Sequence, residues 1–410
     1  MHILLLRQQF SPPDESGSGR PYEMARRWVE AGHEVTIVTS TAMFSTSYEM
    51  TKKVNSLTLG GINIIAVDVP YHNSYSYFRR VLSFFSFARK AVKEAKGIEK
   101  VDVILGSSTP LTVALPAVKL SKHFDCPMVF EVRDLWPEMP IAIGALRNPV
   151  TKFLAKRLEL FAYRNSHRII ALSPGMASGV AATGYPEAQI ALVPNISDVA
   201  RFRGPKVRAE NFLAEHPSLQ GRQLVVYAGT LGRLNGVEYL AEIAKEMQAL
   251  NPQVSFLVFG DGGCREIVQQ SAQQLGVLNN NFFMLGPIPK NKIPDVFAAA
   301  SVCVSLFVNI PEMWKNSANK FFDTLAAGKP ILINYEGWQL DLINEYNIGI
   351  GVPAEDPLDA AIKLNELLSS CKSLQKAGEN SRAMGEENFH VDELSSRALS
   401  VLKSAVKTYA

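Results

Sequence analysis

Ile3-Leu4-Leu5-Leu6, then Ser16-Gly17-Ser18-Gly19-Arg20-Pro21, then Met24-Ala25-Arg26-Arg27-Trp28-Val29, then Val35-Thr36-Ile37-Val38-Thr39: these pieces of the first forty residues decide the fold. The first piece is a short, continuous apolar run, as a parallel strand buried on both faces requires. A polar loop follows, and Pro21 suits the first turn of a helix, where its missing N–H costs little. Met24, Ala25, Trp28 and Val29 give that helix one apolar face, and Gly32 stops it. Val35–Thr39 is a second strand. A right-handed crossover makes the two strands parallel.

The same alternation continues. Val101–Leu105, Met128–Val132, Ile169–Leu172 and Ile190–Val193 read as strands, with an apolar helical stretch reaching Leu120. Periodicity is lost between Pro194 and Pro205, which reads as a linker. It then restarts. Strands are expected at Leu224–Ala228, Val254–Phe259, Phe282–Leu285, Val302–Leu306 and Ile331–Asn334. Helices are expected at Val237–Leu250, Arg265–Leu275, Lys292–Ala299, Asn319–Ala327 and Glu393–Lys407. Strict β/α alternation predicts doubly wound sheets with ligands at the carboxyl ends of the strands. The expected organisation is α/β: two Rossmann-like β/α/β domains, 1–197 and 198–390, facing each other across a cleft. A terminal helix, 391–410, packs back on the first domain.

Composition narrows the functional classes. The chain has 410 residues, 47% hydrophobic and 20% charged, with 42 Lys and Arg against 39 Asp and Glu. A net charge of +3 gives no concentrated basic footprint for nucleic acid. Cys126, Cys264, Cys303 and Cys371 form no Cys-x-x-Cys pair, which points to a reducing compartment. No apolar stretch of ~18 residues exists to span a membrane, and the start of the chain is too short an apolar run for a signal peptide. The expected location is therefore cytoplasmic. The seven histidines show no His-x-x-x-His spacing, and no Asp-x-Asp pair is present, so no metal site is expected. A Gly-x-Ser-x-Gly elbow is also missing.

Five segments carry candidate chemistry. Ser16, Gly17, Ser18 and Gly19 stand between a strand and a helix start, where backbone N–H groups attract phosphate; a plain flexible loop is the competing reading. The segment does not fit Gly-x-Gly-x-x-Gly, because Tyr22 occupies the last glycine position. The loop is long and no acid follows Val38-Thr39-Ser40-Thr41, so a nicotinamide dehydrogenase is disfavoured. Gly229-Thr230-Leu231-Gly232-Arg233 puts a cation beside a Gly-rich turn, suited to a diphosphate or, more plainly, to capping the turn. In Ser317-Ala318-Asn319-Lys320-Phe321-Phe322-Asp323, Asn319 and Asp323 share a helix face. There Lys320 can meet phosphate and Asp323 a ribose diol, unless the segment is only a solvated helix start. Glu131-Val132-Arg133-Asp134-Leu135-Trp136-Pro137-Glu138 crowds charge at a strand end, for function or for an Arg133–Glu138 pair that fixes the loop. Finally, Tyr75–Lys90 interleaves aromatics with Arg79, Arg80, Arg89 and Lys90. With Phe84 and Phe85 dipping into the interface, it reads either as a helix for an anionic membrane surface or as an ordinary domain helix. Thr151–Leu158 repeats the flavour more weakly.

Together with Gly260-Asp261-Gly262 and Leu325-Ala326-Ala327-Gly328-Lys329-Pro330, these segments resemble retaining glycosyltransferases of family 4, which have the two-domain GT-B fold. Glu131–Glu138, Ala171-Leu172-Ser173-Pro174-Gly175-Met176 and Ser317–Asp323 resemble the subgroup of bacterial surface-polysaccharide enzymes that includes L-fucosamine transferases. The resemblance implies transfer of a sugar, with retention, from a nucleotide diphosphate sugar, UDP-linked and N-acetylated. It implies a polyprenyl-diphosphate-linked saccharide acceptor at the inner face of the membrane, and no metal or other cofactor. It places Asp323 at the second acid of a Glu-x7-Glu pair, on the ribose. The first acid falls at Lys315, so half of that pair is missing. Arg233 is followed by Leu234-Asn235-Gly236 where many members soon have Lys, and Lys320 is expected to supply that charge. Arg133-Asp134 stands where many members have His-Asp.

The implied roles follow residue by residue. Arg233, Lys320 and Asp134 are expected at the chemistry. Gly232, Asp261, Leu285, Ile288, Ser317, Asn319 and Asp323 join the Ser16–Gly19 loop around the donor, with the base on the backbone of Leu285-Gly286-Pro287-Ile288. Arg133 and Glu138 face the acceptor. A silent nucleotide-sugar-binding partner subunit, a nucleotide-sugar 2-epimerase and a nicotinamide oxidoreductase are the competing readings.

Overall fold

The computed structural model describes residues 1–15, 19–72 and 75–409. The chain forms two compact units, Met1–Pro194 with Val391–Ala410, and Asn195–His390.

The first unit is built on eight strands: β1 (His2–Leu6), β2 (Glu34–Ser40), β3 (Val54–Leu59), β4 (Ile62–Val67), β5 (Val103–Ser107), β6 (Met128–Val132), β7 (Arg168–Ala171) and β8 (Ile190–Leu192). Their order in the sheet is β3-β4-β2-β1-β5-β6-β7-β8, parallel throughout except for β3. All five residues of β1 are buried, as are those of β5 and β6. The β3–β4 hairpin was not legible in the sequence: β3 is an edge strand with none of its residues buried, so its apolar pattern is diluted. The helix Arg20–Glu30 buries Met24, Ala25 and Trp28. The Trp28 indole N–H donates to the Ser395 carbonyl at 2.9 Å, and Arg27 pairs with Asp392. Through these contacts the terminal helix Val391–Tyr409 belongs to this unit.

The second unit has six parallel strands: β9 (Gln223–Ala228), β10 (Val254–Phe259), β11 (Phe282–Gly286), β12 (Val302–Ser305), β13 (Ile331–Ile333) and β14 (Gly349–Gly351). Their order, β11-β10-β9-β12-β13-β14, is the doubly wound Rossmann order. Alternation along β9 fills two cores: Val225 and Tyr227 enter one, and Leu224, Val226 and Ala228 the other. The order in which strands are added changes direction between β1 and β5 in one sheet and between β9 and β12 in the other, although both pairs are parallel. Ligands of such folds bind at these switch points, outside the carboxyl ends of the strands.

Candidate functional site

In the second unit the chain leaves β9 at Gly229. Three loops are tied together just beyond the sheet. Gly229 N–H donates to the Phe259 carbonyl (2.9 Å), Gly260 N–H to the Gly286 carbonyl (2.7 Å), and Leu231 N–H to the Asp261 carbonyl (2.9 Å). The approach is close enough that a Cβ on Gly260, whose φ is +149°, would collide with the Gly229 carbonyl oxygen. The carboxyl edges of β9, β10 and β11 therefore form one rigid backbone rim.

Lys320 reaches this rim from the first turn of the helix Asn319–Ala327. Its stem crosses directly over Gly229. A Cβ there would sit 2.9 Å from Lys320 Nζ and closer still to Cε. The ammonium lies 5.0 Å from the centre of the Tyr227 ring, which is fully buried and donates its hydroxyl to the Thr230 carbonyl at 2.8 Å. Among the described residues no carboxylate comes within ion-pair distance of Lys320. Burial accordingly pulls its pKa down to about 8, opposed only by the more distant Asp323. Arg233, on the same loop, is exposed and makes no hydrogen bond or ion pair among the described residues. Two cations thus stand beside a backbone rim at a switch point with no anion of their own.

Asp323, one turn further along the Lys320 helix, is partly exposed and lies 4.0 Å from Arg201. Burial raises its pKa, against the pull of Arg201 and Lys290. Asn319 is exposed. Ser317 is buried, its carbonyl accepting from Asn195 Nδ2 at 2.8 Å. Asp261 is exposed and accepts from the Gly262 N–H at 2.9 Å, and Gly232 is half-buried. Leu285 is exposed and Ile288 half-buried, at and beyond the end of β11. Arg201 was not singled out from the sequence. It lies in a stretch without periodicity, and only folding brings it to the helix.

The first unit gathers charge differently. Glu131 is 5% exposed in the middle of three adjacent strands. Arg20 Nε donates to it at 3.0 Å, and the Ser107 hydroxyl at 2.6 Å. Arg133 stands 3.8 Å away. Burial pushes the Glu131 pKa up, but Arg20 and Arg133 win and hold it at about 2. Arg7, at the end of β1, donates to Ser107 Oγ at 2.9 Å; burial lowers its pKa to about 9. Asp134 accepts from the Thr109 hydroxyl at 2.6 Å, and burial raises its pKa. The Arg133 N–H donates to Ser108 Oγ at 3.0 Å. Glu138 begins a short helix, Glu138–Ala142. Arg133 and Asp134 are thus fixed by the loop after β5, and Arg133 turns toward Glu131.

Arg20 is the residue whose position departs most from a phosphate-loop reading. It is 2% exposed, and besides Glu131 it donates to the Val193 carbonyl at 3.0 Å and to that of Pro194. Gly19 is the residue before the helix. Ser16, Gly17 and Ser18 lie outside the described residues.

The basic aromatic segment forms the helix Tyr77–Ala95, capped by Ser76. Arg79 lies over the Tyr75 ring at 3.8 Å, Arg89 is exposed, and Lys90 donates to the Asp68 carbonyl. Arg80 is half-buried, as is Phe84, whose ring stacks on Tyr71 at 5.8 Å. The outward apolar stripe is Phe78, Leu82 and Phe85 instead, because Ser83, Phe87 and Ala91 take the core face. Among the described residues no helix is long and apolar enough to cross a membrane.

Two doubly wound Rossmann-like units of this kind are the GT-B architecture. Residues 21–201 match the model for Glycosyltransferase Family 4, and residues 209–384 that for Glycosyl transferases group 1. The chain belongs to glycosyltransferase family 4. Spore coat protein SA of Bacillus subtilis (strain 168) is 25% identical over 208 residues, 49% of this chain and 54% of that protein. This chain thus matches about half the length of that relative. The structure of Anabaena Alr3699/HepE with UDP and glucose superposes with a TM-score of 0.75 at 16% identity, covering 98% of this chain and all of that one. WaaG, a glycosyltransferase involved in lipopolysaccharide biosynthesis, gives 0.70 at 13% identity, covering 98% and 99%. At these identities the likeness is one of fold.

Proposed function

We propose that this protein is a retaining glycosyltransferase that takes an N-acetylated amino sugar from a UDP-linked donor. It delivers the sugar to a polyprenyl-diphosphate-linked saccharide, in the manner of the surface-polysaccharide subgroup that includes L-fucosamine transferases. The observation that carries the reading is the Lys320 ammonium, laid across Gly229 and Tyr227 with no carboxylate in ion-pair range among the described residues. A half-buried cation without a partner is costly, and a diphosphate supplies what it lacks.

The chemistry follows from charge. The bond between the anomeric carbon and the diphosphate oxygen breaks, and a bond to the acceptor oxygen forms on the same face of the sugar. The acceptor proton leaves with the diphosphate. Negative charge grows on that leaving group, where Lys320 and Arg233 stabilise it. Asp323 accepts from the ribose diol. The backbone of Leu285–Ile288 seats the base, while Asp261, Gly232, Ser317 and Asn319 line the donor. Arg133, Asp134 and Glu138 orient the acceptor. The protein works peripherally at the inner face of the membrane.

A thermal-shift series with UDP, GDP, ADP and NADH tests the donor. A ligand at ~100 times its Kd stabilises the folded chain by about 2.7 kcal/mol. A shift with UDP is expected. A shift with GDP alone replaces the base in the reading, and a shift with NADH alone overturns it.

A further inference from the structure

Six large apolar side chains stand more than half exposed on two helices of the first unit. Phe78, Leu82 and Phe85 form one stripe of Tyr77–Ala95, and Val150, Phe153 and Leu154 form one stripe of Pro149–Arg164. The two helices belong to one layer. Both pack on the turn Leu111–Val113, which directly follows β5, and on the helix Ala114–Phe124 beyond it. Each runs back along the sheet toward the next strand, and Arg164 is only four residues from Arg168 in β7. Their N-terminal halves, which carry the exposed stripes, therefore start from the carboxyl edge of the sheet. Arg7, Arg133 and Asp134 follow their strands at that same edge.

Charge surrounds these stripes. Tyr77–Ala95 holds Arg79, Arg80, Arg89, Lys90 and Lys93 against Glu94. Pro149–Arg164 holds Lys152, Lys156, Arg157 and Arg164 against Glu159. Glu159 is 4% exposed and paired with Lys156 at 2.5 Å, so it presents no charge outward. These two helices carry a net +7 in a chain whose total is +3, so everything else together is acidic. Single exposed apolar residues are ordinary, but two such stripes on one helical layer within a basic field are not. A second copy of the chain would set +7 against +7. A polyanion in water would satisfy the cations but leave the Phe and Leu rings wet. A bilayer with anionic headgroups satisfies both, because rings enter the interface while Arg and Lys meet phosphate.

We infer that the N-terminal halves of Tyr77–Ala95 and Pro149–Arg164 form one two-helix docking face for an anionic bilayer surface. Phe153 and Leu154 are as necessary to it as Phe78 and Phe85. The inference deepens the lipid-acceptor reading above: the face adjoins the strand ends that would receive a membrane-borne acceptor.

The test is co-sedimentation of the full chain with vesicles of phosphatidylglycerol and phosphatidylethanolamine, and with phosphatidylcholine alone. Binding to the anionic vesicles, weakened by salt, is expected. Arg79→Glu with Lys152→Glu should lower partitioning at least ~25-fold, at ~5-fold for each cation lost. Phe153→Ser with Leu154→Ser should lower it by a comparable factor. Parent-like binding by the Phe153/Leu154 variant overturns the two-helix face, and so does equal binding to neutral vesicles. Concentration-dependent dimerisation that this variant abolishes assigns the face to self-association and also overturns it. Each variant keeps the UDP thermal shift if folded, so loss of docking is read separately from failure of the donor assignment.

Discussion

Gly229→Ala is the sharpest probe of the proposed leaving-group site. Gly229 has no positive φ, so alanine fits the backbone, and the whole effect comes from the added methyl group. That methyl would fall on the Lys320 stem, 3.5 Å from Cδ, 2.9 Å from Nζ and nearer to Cε. The far end of a lysine is flexible, so the stem swings away and the fold survives. Stability should change by less than about 1 kcal/mol, because no backbone clash or cavity is created. The ammonium, however, leaves the Tyr227 ring and the rim. If it stabilises the departing diphosphate, its loss resembles removal of one oxyanion donor, about 10²–10³ in turnover or ~2.7–4 kcal/mol. Steady-state transfer assays on Gly229→Ala, Lys320→Ala and the double variant measure this. All three should fall to the same level, since the first substitution acts only by displacing the second residue. Losses that add in the double variant, or a Gly229→Ala enzyme of near-normal turnover, would refute the placement of Lys320.

Other consequences are as direct. Lys320 is charged below its pKa of about 8, so the Kd for UDP should stay flat to pH 8 and then weaken up to tenfold per pH unit; Lys320→Ala should abolish that slope in isothermal titrations. Asp323→Asn should cost ~10–100-fold in UDP affinity but leave 2′-deoxy-UDP nearly unaffected, as expected for a charged acceptor on a ribose hydroxyl. Glu131 has a folded pKa of about 2, below its ordinary 4.5. Its stabilisation is therefore complete above pH 4.5 and lost as pH falls toward 2. Glu131→Gln should flatten that window in urea melts and destabilise the fold by roughly 3–5 kcal/mol, leaving Arg20 buried without its partner.

The sheets were legible because buried parallel strands are continuous apolar runs, and β1, β6, β9 and β10 stand out as such. Elements with one open face were harder. The β3–β4 hairpin and the three-residue β14, with its two glycines, give no such run. Gly229, Lys320 and Asp323 could be singled out because their residue types sit at strand ends and helix starts, where ligands meet this fold. The cluster of Arg7, Arg20, Ser107 and Glu131 could not, since its members are up to 124 residues apart and share no spacing. One signal was available: Glu131 interrupts Phe130-Glu131-Val132, and a charge inside a buried strand requires a partner. The sequence could not say which of the many arginines that partner was. The outward stripe of Tyr77–Ala95 was misplaced by one residue for a related reason. Phe84, Phe85 and Phe87 are equivalent by composition, and only the packing of Ser83, Phe87 and Ala91 fixes which side faces out.

The two units handle buried charge in opposite ways, and the difference has a measurable consequence. In the first, the buried Arg20 pairs directly with Glu131, so each charge has its partner inside the fold. In the second, Lys320 is held at a pKa of about 8 instead of 10.5, which means that burial of its charge opposes folding at neutral pH. Between pH 8 and 10.5 the unfolded chain holds a proton that the folded one has released, so stability should rise with pH in that window. A diphosphate removes the same penalty at neutral pH by supplying the missing negative charge. UDP should therefore raise the melting temperature far more than uridine at equal occupancy, and Lys320→Met should stabilise the ligand-free protein while erasing that difference. Equal shifts with UDP and uridine would mean that the cations at the β9 edge do not meet the diphosphate.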